Sequence, residues 1–313
     1  MLWSQIIFTV TNVISLPFYL LIMVVCVKEW KRNHAQRTFY LLIISQGIVD
    51  ILVMGNYFIF WTLRVSNIFS NFYWSYQSYY VAGWCFNQIH ISIFIRCFGV
   101  LLVSFQRYIS LCHSSWRIEQ IINTSHRWIL PVLQWVVPGC FSVPLVAVTH
   151  AVFVSPDNLE VMADQANITL ATSMAVVFVS VTFIECALCY GAILRFLMRN
   201  RLDNSTAIKR ERRLYIQMLG LFVAFALVFF YNIMVFSFSL YTNEGPILTM
   251  RTIFPLLTCF FSYINVWMTL ILNDDIRRKI WAMLSDHAEK NQSTVKASSS
   301  HKVFRIADPT PSK

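Results

Sequence analysis

Seven long apolar stretches follow one another along this sequence and limit what the chain can fold into. A helix needs about 20 predominantly apolar residues to cross the hydrocarbon core of a bilayer, and each stretch is longer than that. Strands of a membrane barrel would be about 9–11 residues long with alternating polarity, a pattern that none of the stretches has. The sequence therefore predicts seven membrane-spanning helices, at Ser4–Val27, Phe39–Thr62, Tyr79–Phe105, Trp128–Phe153, Leu170–Leu197, Leu214–Tyr241 and Ile247–Leu272.

The composition excludes a soluble fold. Hydrophobic residues make up 57% of the 313 residues and charged residues only 13%, whereas charged residues are about 25% of an average soluble domain. A soluble protein of this composition would expose large apolar patches, which soluble monomers avoid. We predict an all-α membrane protein with one seven-helix domain (residues 1–284) and a polar, disordered cytoplasmic tail (residues 285–313).

The basic residues predict the orientation in the membrane, because Lys and Arg collect in cytoplasmic loops. The first, third and fifth connections between spans and the segment after the last span hold 4, 3, 7 and 8 of the 25 basic residues. We therefore predict an N-terminus outside and a C-terminus inside, with the first span a retained signal anchor rather than a cleaved signal peptide. The basic residues behind the net charge of +10 would then lie at the cytoplasmic ends of the helices, beside anionic membrane lipid. They would not form a nucleic-acid-binding face.

Two residues on the predicted outer side carry chemistry of their own. Asn167 begins the only one of the four Asn-x-Ser/Thr sequons that lies in a predicted outer loop, so it is the expected glycosylation site. The alternative is a sequon that stays unused. Among the eight cysteines, only Cys85 lies near the outer face, and the outer loop at about residues 154–169 contains no cysteine. We expect Cys85 to stay a free thiol or to pair between molecules.

Two charged side chains lie inside the second and third spans. Asp50 and Arg96 are both mid-span, where an unpaired charge costs about 2.5–3.5 kcal/mol on insertion scales. Arg96 lies eleven residues before Arg107, which is about three turns and places the two on nearly the same helix face. Because Arg96 could reach Asp50 at that depth, we predict a buried Asp50–Arg96 ion pair.

The segment NDDIRRKIWAML after the last span has the pattern of an amphipathic helix. One face carries Ile276, Ile280, Trp281 and Leu284, and the basic run 277–279 occupies the other side. This pattern predicts a short eighth helix that lies in the membrane interface.

The third span ends in a motif that resembles one of rhodopsin-like G-protein-coupled receptors. Gln106, Arg107 and Tyr108 stand where those receptors have Asp/Glu-Arg-Tyr. The resemblance implies that Arg107 holds an inactive helix arrangement and is released to meet a G protein. Glutamine in place of the acid implies a weaker local restraint and higher basal activity. The alternative is an interfacial arginine that reaches lipid headgroups.

Three further polar residues resemble those of the same receptors. Asn12, Asp50 and Asn265 match polar positions of the first, second and seventh spans, although the proline and tyrosine of the seventh-span motif are replaced. With Arg96 they form a predicted transmembrane polar network, in which the Asp50–Arg96 pair would fill the place where related receptors hold sodium. The alternative for the two asparagines is ordinary interhelical hydrogen bonding, about 0.6 kcal/mol each.

Longer runs are similar to nematode serpentine chemoreceptors, most of all to class V. They are LLIISQGIVDI at 41–51, RERRLYIQMLGLFVAFALVFFYNIMVF at 210–236 and SYINVWMTLILNDDIRRKI at 262–280. The resemblance extends over essentially the entire membrane region. It implies a plasma-membrane receptor of sensory neurons, located in their cilia, that binds an environmental or pheromonal small molecule and activates a heterotrimeric G protein.

Polar side chains in the outer halves of the third, sixth and seventh spans are the candidate ligand contacts. Each has the alternative of being polarity used in helix packing, and Arg251 has the choice between an anionic ligand and lipid headgroups. Glu185 in the fifth span has no assigned role. The candidates are Gln88, His90, Ser92, Tyr231, Asn232 and Arg251.

A seven-span transporter or ligand-gated channel subunit is the alternative function. Transporters often contain internal repeats and paired broken helices, and the sequence has neither. A channel of the insect odorant-gated type would place its N-terminus inside. The sequence contains no HExxH, nucleophile elbow or phosphate loop, so we predict no enzymatic activity. Its histidines lack ligand spacing, so we predict no metal site and no cofactor.

Overall fold

A computed structural model of the chain describes residues 3–32, 37–112, 117–122, 126–199, 206–241, 246–274 and 276–283. Seven of its helices are long and apolar enough to cross a membrane, so the predicted seven-helix fold is confirmed, while the orientation stays a prediction. The helices are α1 (Trp3–Arg32), α2 (Arg37–Tyr57), α3 (Ser70–Ser75), α4 (Val81–Cys112), α5 (Arg117–Gln120), α6 (Ile129–Val148), α7 (Gln165–Arg199), α8 (Thr206–Ser239) and α9 (Pro246–Leu272), followed by α10 at residues 276–283.

Helix α4 lies at the centre of the bundle. It contacts α2, α6, α7 and α8, and it is the most buried of the seven spanning helices. The other spanning helices expose apolar side chains such as Val13 and Leu188, each 69% exposed. Lipid is the solvent for these faces, because the helices satisfy their own backbone hydrogen bonds. The central position of α4 brings its polar residues into the core of the bundle.

Gly99 allows α2, α4 and α6 to meet closely. The side-chain amide of Gln134 donates from Nε2 to Oε1 of Gln46 across this glycine, at 2.7 Å. A Cβ built on Gly99 would overlap both amide groups. The glycine is needed here for close approach, and the buried amide pair satisfies groups that would be costly in hydrocarbon.

The fourth span is shorter than the sequence predicts. The prediction extended it to Phe153, but α6 ends at Val148 and Thr149 adopts an extended conformation (φ −76°, ψ 117°). Residues Ala151–Phe153 form strand β1, which pairs antiparallel with β2 (Val161–Ala163), Val152 opposite Met162. The error arose because an apolar run shows no periodicity that separates a helix end from a short strand. We call the end of the bundle that carries this hairpin the hairpin end.

Helix α10 packs against the opposite end of the bundle. Asn273 caps it, accepting a hydrogen bond at Oδ1 from the backbone N–H of Ile276 at 3.2 Å. Ile280 is buried, and Lys279 forms an ion pair with Glu29 of α1 at 2.7 Å. Trp281, predicted to share the face of Ile280, is 67% exposed, because one residue turns a helix by about 100°. Leu284 and the tail at 285–313 lie outside the described residues.

Candidate functional site

A cavity of about 310 Å³ opens at the hairpin end. Helices α2, α4 and α9 supply its walls and the hairpin covers it. Such a volume lies at the small end of ligand pockets, which are about 300–1,000 Å³. The residues that line it are Tyr57, Trp61, Arg64, Val65, Asn67, Cys85, Phe86, Ile89, Asp157, Asn158, Leu159, Glu160, Val161, Arg251, Thr252, Phe254 and Pro255.

The hairpin is fastened over the cavity without a disulfide. Arg64 donates from Nη1 to the carbonyl of Leu159 and from Nε to the carbonyl of Phe60, the latter at 2.9 Å. Its guanidinium lies 5.8 Å from the ring centre of Phe153, within cation–π range. Cys85 is buried under the hairpin in one apolar cluster with Leu159 and Phe153, and all eight cysteines are free thiols.

Two irregularities of the spanning helices shape the cavity wall. The end of α2 continues as a π-helical turn at Phe58–Leu63, which places Trp61 at the cavity; π-helical turns inside α-helices often occur at functional sites. In α9, Pro255 lies inside the helix and has no N–H to donate to the carbonyl of Arg251, four residues earlier. Neither irregularity has a sequence signal that identifies a ligand wall beforehand.

Of the six predicted ligand contacts, only Arg251 lines the cavity. The other five make hydrogen bonds or ring contacts within their own or neighbouring helices, and their role as ligand contacts stays a prediction. The side chain of Gln88 accepts a hydrogen bond from Asn56 at 2.5 Å, and the ring of His90 packs on that of Phe86 with centres 5.5 Å apart. The other three donate to backbone carbonyls: Ser92 to Ile89 at 2.7 Å, Tyr231 to Met250 at 3.0 Å and Asn232 to Val228 at 2.8 Å. Sequence reasoning missed the aromatic wall, because Tyr57, Trp61, Phe86 and Phe254 do not differ in pattern from core residues.

A buried ion pair lies halfway down the bundle. Nε of Arg96 is 2.9 Å from Oδ1 of Asp50, and both residues are almost fully buried. Asp50 also accepts hydrogen bonds from the hydroxyls of Tyr19 (2.7 Å) and Ser262 (3.2 Å). Each carboxylate oxygen therefore has a partner. The structure places the two residues as the sequence predicted, and their role in function stays a prediction.

Arg96 has further partners on α9, which make it a connector between α2, α4 and α9. Its Nη2 donates to the carbonyl of Thr258 at 3.0 Å and to the hydroxyl of Ser262 at 2.6 Å. The guanidinium also lies 4.6 Å from the ring centre of Phe261. Any shift of α9 against α4 would have to break these contacts or carry Arg96 along.

The two asparagines of the predicted polar network lie apart from the ion pair. Asn12 accepts at Oδ1 from the hydroxyl of Tyr263 at 2.6 Å, while Asn265 accepts from Nε2 of Gln217 at 2.9 Å. The ring of Tyr263 meets that of Tyr19 edge-on, with centres 6.0 Å apart. Asn12 is thus linked to the ion pair through two tyrosines, and Asn265 instead joins α8 to α9.

Arg107 lies near the end of α4 that is remote from the hairpin. It is only 4% exposed, and its guanidinium lies 3.5 Å from the ring centre of Phe39 on α2. Gln106 donates from its side-chain amide to the hydroxyl of Ser110 at 3.0 Å, and Tyr108 is half-buried against the core. An aromatic ring therefore covers this arginine, in a motif that lacks the usual neighbouring acid.

The predicted glycosylation site lies at the start of α7. Asn167 lies in the first turn of α7, is only 9% exposed and donates to the carbonyl of His150 at 3.5 Å. Glycosylation at Asn167 stays a prediction. Glu185, which has no assigned role, is exposed on the same helix.

Within the part of the chain that the structure describes, no group of His, Cys, Asp or Glu is arranged to hold a metal ion.

Comparison with known proteins identifies the family. A search of curated proteins finds no match. A family model described as serpentine type 7TM GPCR chemoreceptor Srv matches residues 8–286, a range that contains almost all of the described bundle. The resemblance to class V serpentine receptors is thereby confirmed, and the protein is a multi-pass membrane protein. The chain belongs to the serpentine type 7TM GPCR chemoreceptor family Srv.

Proposed function

We propose that this protein is a chemosensory receptor that binds an environmental or pheromonal small molecule and activates a heterotrimeric G protein. The ligand binds in the cavity under the hairpin, and Gln106, Arg107 and Tyr108 form the G-protein coupling site. The predicted orientation, with the N-terminus outside, places the cavity on the outer side. We further propose that it acts at the plasma membrane of a sensory neuron, in the cilium.

One observation carries this proposal: a single central helix connects the cavity with the covered arginine. Phe86 of α4 lines the cavity, and Arg107 on the same helix lies over Phe39. The two residues are 21 positions apart in the sequence, which corresponds to about 30 Å of helix. Arg96 lies between these two positions and bonds both α2 and α9. A ligand that moves α9 against α4 at the cavity therefore acts on contacts that lead towards Arg107.

The test uses the full chain in cultured cells, with a second-messenger reporter and a library of small odorants. We expect ligand-evoked messenger production that is lost in Arg107→Ala at equal surface level. The matched control is Arg213→Ala, which removes an exposed arginine of the same end, 62% exposed at its side chain. That variant should signal normally.

The alternative functions give different outcomes in the same cells. A ligand-evoked ion current that persists without G proteins would identify a channel subunit, and saturable uptake of the ligand would identify a transporter. Either result would contradict the receptor proposal. Epitope tags at both ends of the chain test the orientation, because only the N-terminal tag should be reached by antibody on intact cells.

A further inference from the structure

Two arginines line the cavity, and they are used differently. Arg64 is buried, donates to two backbone carbonyls and lies near the ring of Phe153. Its hydrogen bonds fasten the hairpin. A guanidinium with its donors directed at backbone carbonyls is a structural cation, so Arg64 is not available to a ligand without opening the hairpin.

Arg251 has no such engagement. It is half-buried at the cavity wall, and it donates no hydrogen bond to any residue within the described ranges. Glu160 of the hairpin is near enough to attract it, yet no ion pair within 4.0 Å forms between these two residues. His90 and Tyr231 also lie within electrostatic range of its guanidinium, and the hydroxyl of Tyr231 already donates to the carbonyl of Met250. The cavity therefore contains a cation with five N–H donors and no acceptor among the residues that the structure describes.

The remainder of the wall defines what an anion at Arg251 must be attached to. Tyr57, Trp61, Phe86 and Phe254 present aromatic rings, and Ile89 adds an aliphatic surface. Such walls bind apolar bodies, with a few polar groups fixing the orientation. The volume of about 310 Å³ is at the small end for ligand pockets and favours a compact body.

The acidic residues of the cavity restrict the orientation of the ligand. Asp157 and Glu160 both belong to the hairpin side and are exposed. A ligand anion on the hairpin side would be repelled, whereas one paired directly with Arg251 would lie closer to this cation than Glu160 does, because Glu160 forms no ion pair with it within 4.0 Å. The charges thus favour a ligand whose anionic end points to α9 and whose apolar body lies against α2 and α4.

We propose that the cavity selects small carboxylic acids with a compact aromatic body, with Arg251 pairing with the carboxylate. The inference rests on the proposed receptor function and names its ligand class. The anion is a soluble acid rather than a lipid phosphate, because a cavity of about 310 Å³ suits a compact molecule and not a lipid with its acyl chains. A bidentate arginine–carboxylate pair supplies both affinity and direction.

The test measures binding to the full-length receptor, purified in a nonionic detergent at pH 7.4. The probes are phenylacetate, phenylacetamide and phenethylamine, which share a benzyl group and differ in charge; benzoate and indole-3-acetate extend the series of acids. Radiolabelled phenylacetate gives the Kd, and the other compounds compete with it. We expect phenylacetate to bind about 10- to 100-fold more tightly than phenylacetamide, since a hydrogen bond to a charged group is of that strength.

The variants locate the effect. Arg251→Gln should weaken phenylacetate binding about 10- to 100-fold and leave phenylacetamide unchanged, while Arg251→Lys should keep part of the affinity. Arg213→Gln is the matched control, because it removes the same charge from the exposed ion pair with Asp274. Its phenylacetate affinity should equal that of the wild type.

Four results would overturn the inference: no charge-dependent binding of any acid by the wild type, equal binding of acid and amide, preference for phenethylamine, or unchanged acid binding in Arg251→Gln. Complete displacement of phenylacetate by phosphatidylglycerol micelles would assign Arg251 to lipid headgroups and also overturn it. Because binding is measured without a G protein, acid binding by a receptor that never activates one would contradict the proposed function and leave this inference standing.

Discussion

Replacing Asp50 by asparagine should destabilise the protein far more than the same change at an exposed ion pair. The substitution keeps the shape of the side chain and removes its charge. Arg96 is 2% exposed, so its positive charge would remain in the core without a counter-charge. Isolated buried charges are among the costliest features of a protein interior.

The structure bounds the size of this effect. Removal of one partner from a buried ion pair costs about 3–5 kcal/mol. Arg96 would keep its bonds to Thr258 and Ser262 and its contact with the ring of Phe261, which places the expected cost near the lower bound, about 3 kcal/mol. A free-energy change of that size alters an equilibrium constant by about two orders of magnitude.

The measurement compares thermal unfolding in detergent and delivery to the cell surface for Asp50→Asn and Asp274→Asn. Asp274 is the matched control, because its side chain is 43% exposed and pairs with the exposed Arg213 at 3.3 Å. Exposed pairs contribute about 0–1 kcal/mol. We therefore expect a clearly lower melting midpoint and surface level for Asp50→Asn, and near wild-type behaviour for Asp274→Asn.

The double variant Asp50→Arg/Arg96→Asp separates loss of the pair from loss of either side chain. If the pair itself stabilises the bundle, the exchanged charges should restore part of the surface delivery that each single change removes. The reasoning is refuted if Asp50→Asn melts at the same temperature as Asp274→Asn, because then no uncompensated charge is left in the core.

Three further predictions concern other contacts. Phe39→Leu should raise basal signalling several-fold, because it removes the ring over Arg107, a contact worth about 1–2 kcal/mol. Phe39→Tyr keeps a ring and should behave as the wild type, and unchanged signalling in the leucine variant would contradict the restraint of Arg107 by Phe39. Arg64→Gln should speed amide hydrogen exchange of the β1–β2 hairpin while a reducing agent has no effect; exchange that responds to the reductant instead would mean a disulfide fastens the hairpin. Gly99→Ala should lower the free energy of unfolding by about 1–3 kcal/mol, the usual cost of overpacking, and so lower the melting midpoint. The control Gly191→Ala, where a Cβ meets nothing within 4 Å, should keep the wild-type midpoint. Equal midpoints in the two variants would disprove the close approach at Gly99.

The sequence by itself showed that the chain folds in lipid rather than in water, that it has seven spans, and which family it resembles. Runs of more than 20 apolar residues have one stable arrangement in lipid, a helix, because every backbone group must then be bonded within its own segment. The sequence also indicated the Asp50–Arg96 ion pair. A charged side chain in the middle of a span needs a partner, and Asp50 and Arg96 are the mid-span charges of the second and third spans. The solvent, the spans and the ion pair depend on local composition and helical spacing, whereas the family was indicated by the resemblance of the runs at 41–51, 210–236 and 262–280 to class V serpentine receptors.

The tertiary structure alone decided where the fourth span ends, which side chains line the cavity and which arginine is available there. Phe153 belongs to a strand because Val161 pairs with it, a long-range contact with no local signal. Arg64 and Arg251 have the same chemistry, and only the hairpin carbonyl of Leu159 makes one of them structural. Aromatic residues that line a cavity and aromatic residues of the packed core show the same pattern in the sequence. They differ only in whether the neighbouring helices leave an empty volume beside them, which the tertiary structure decides.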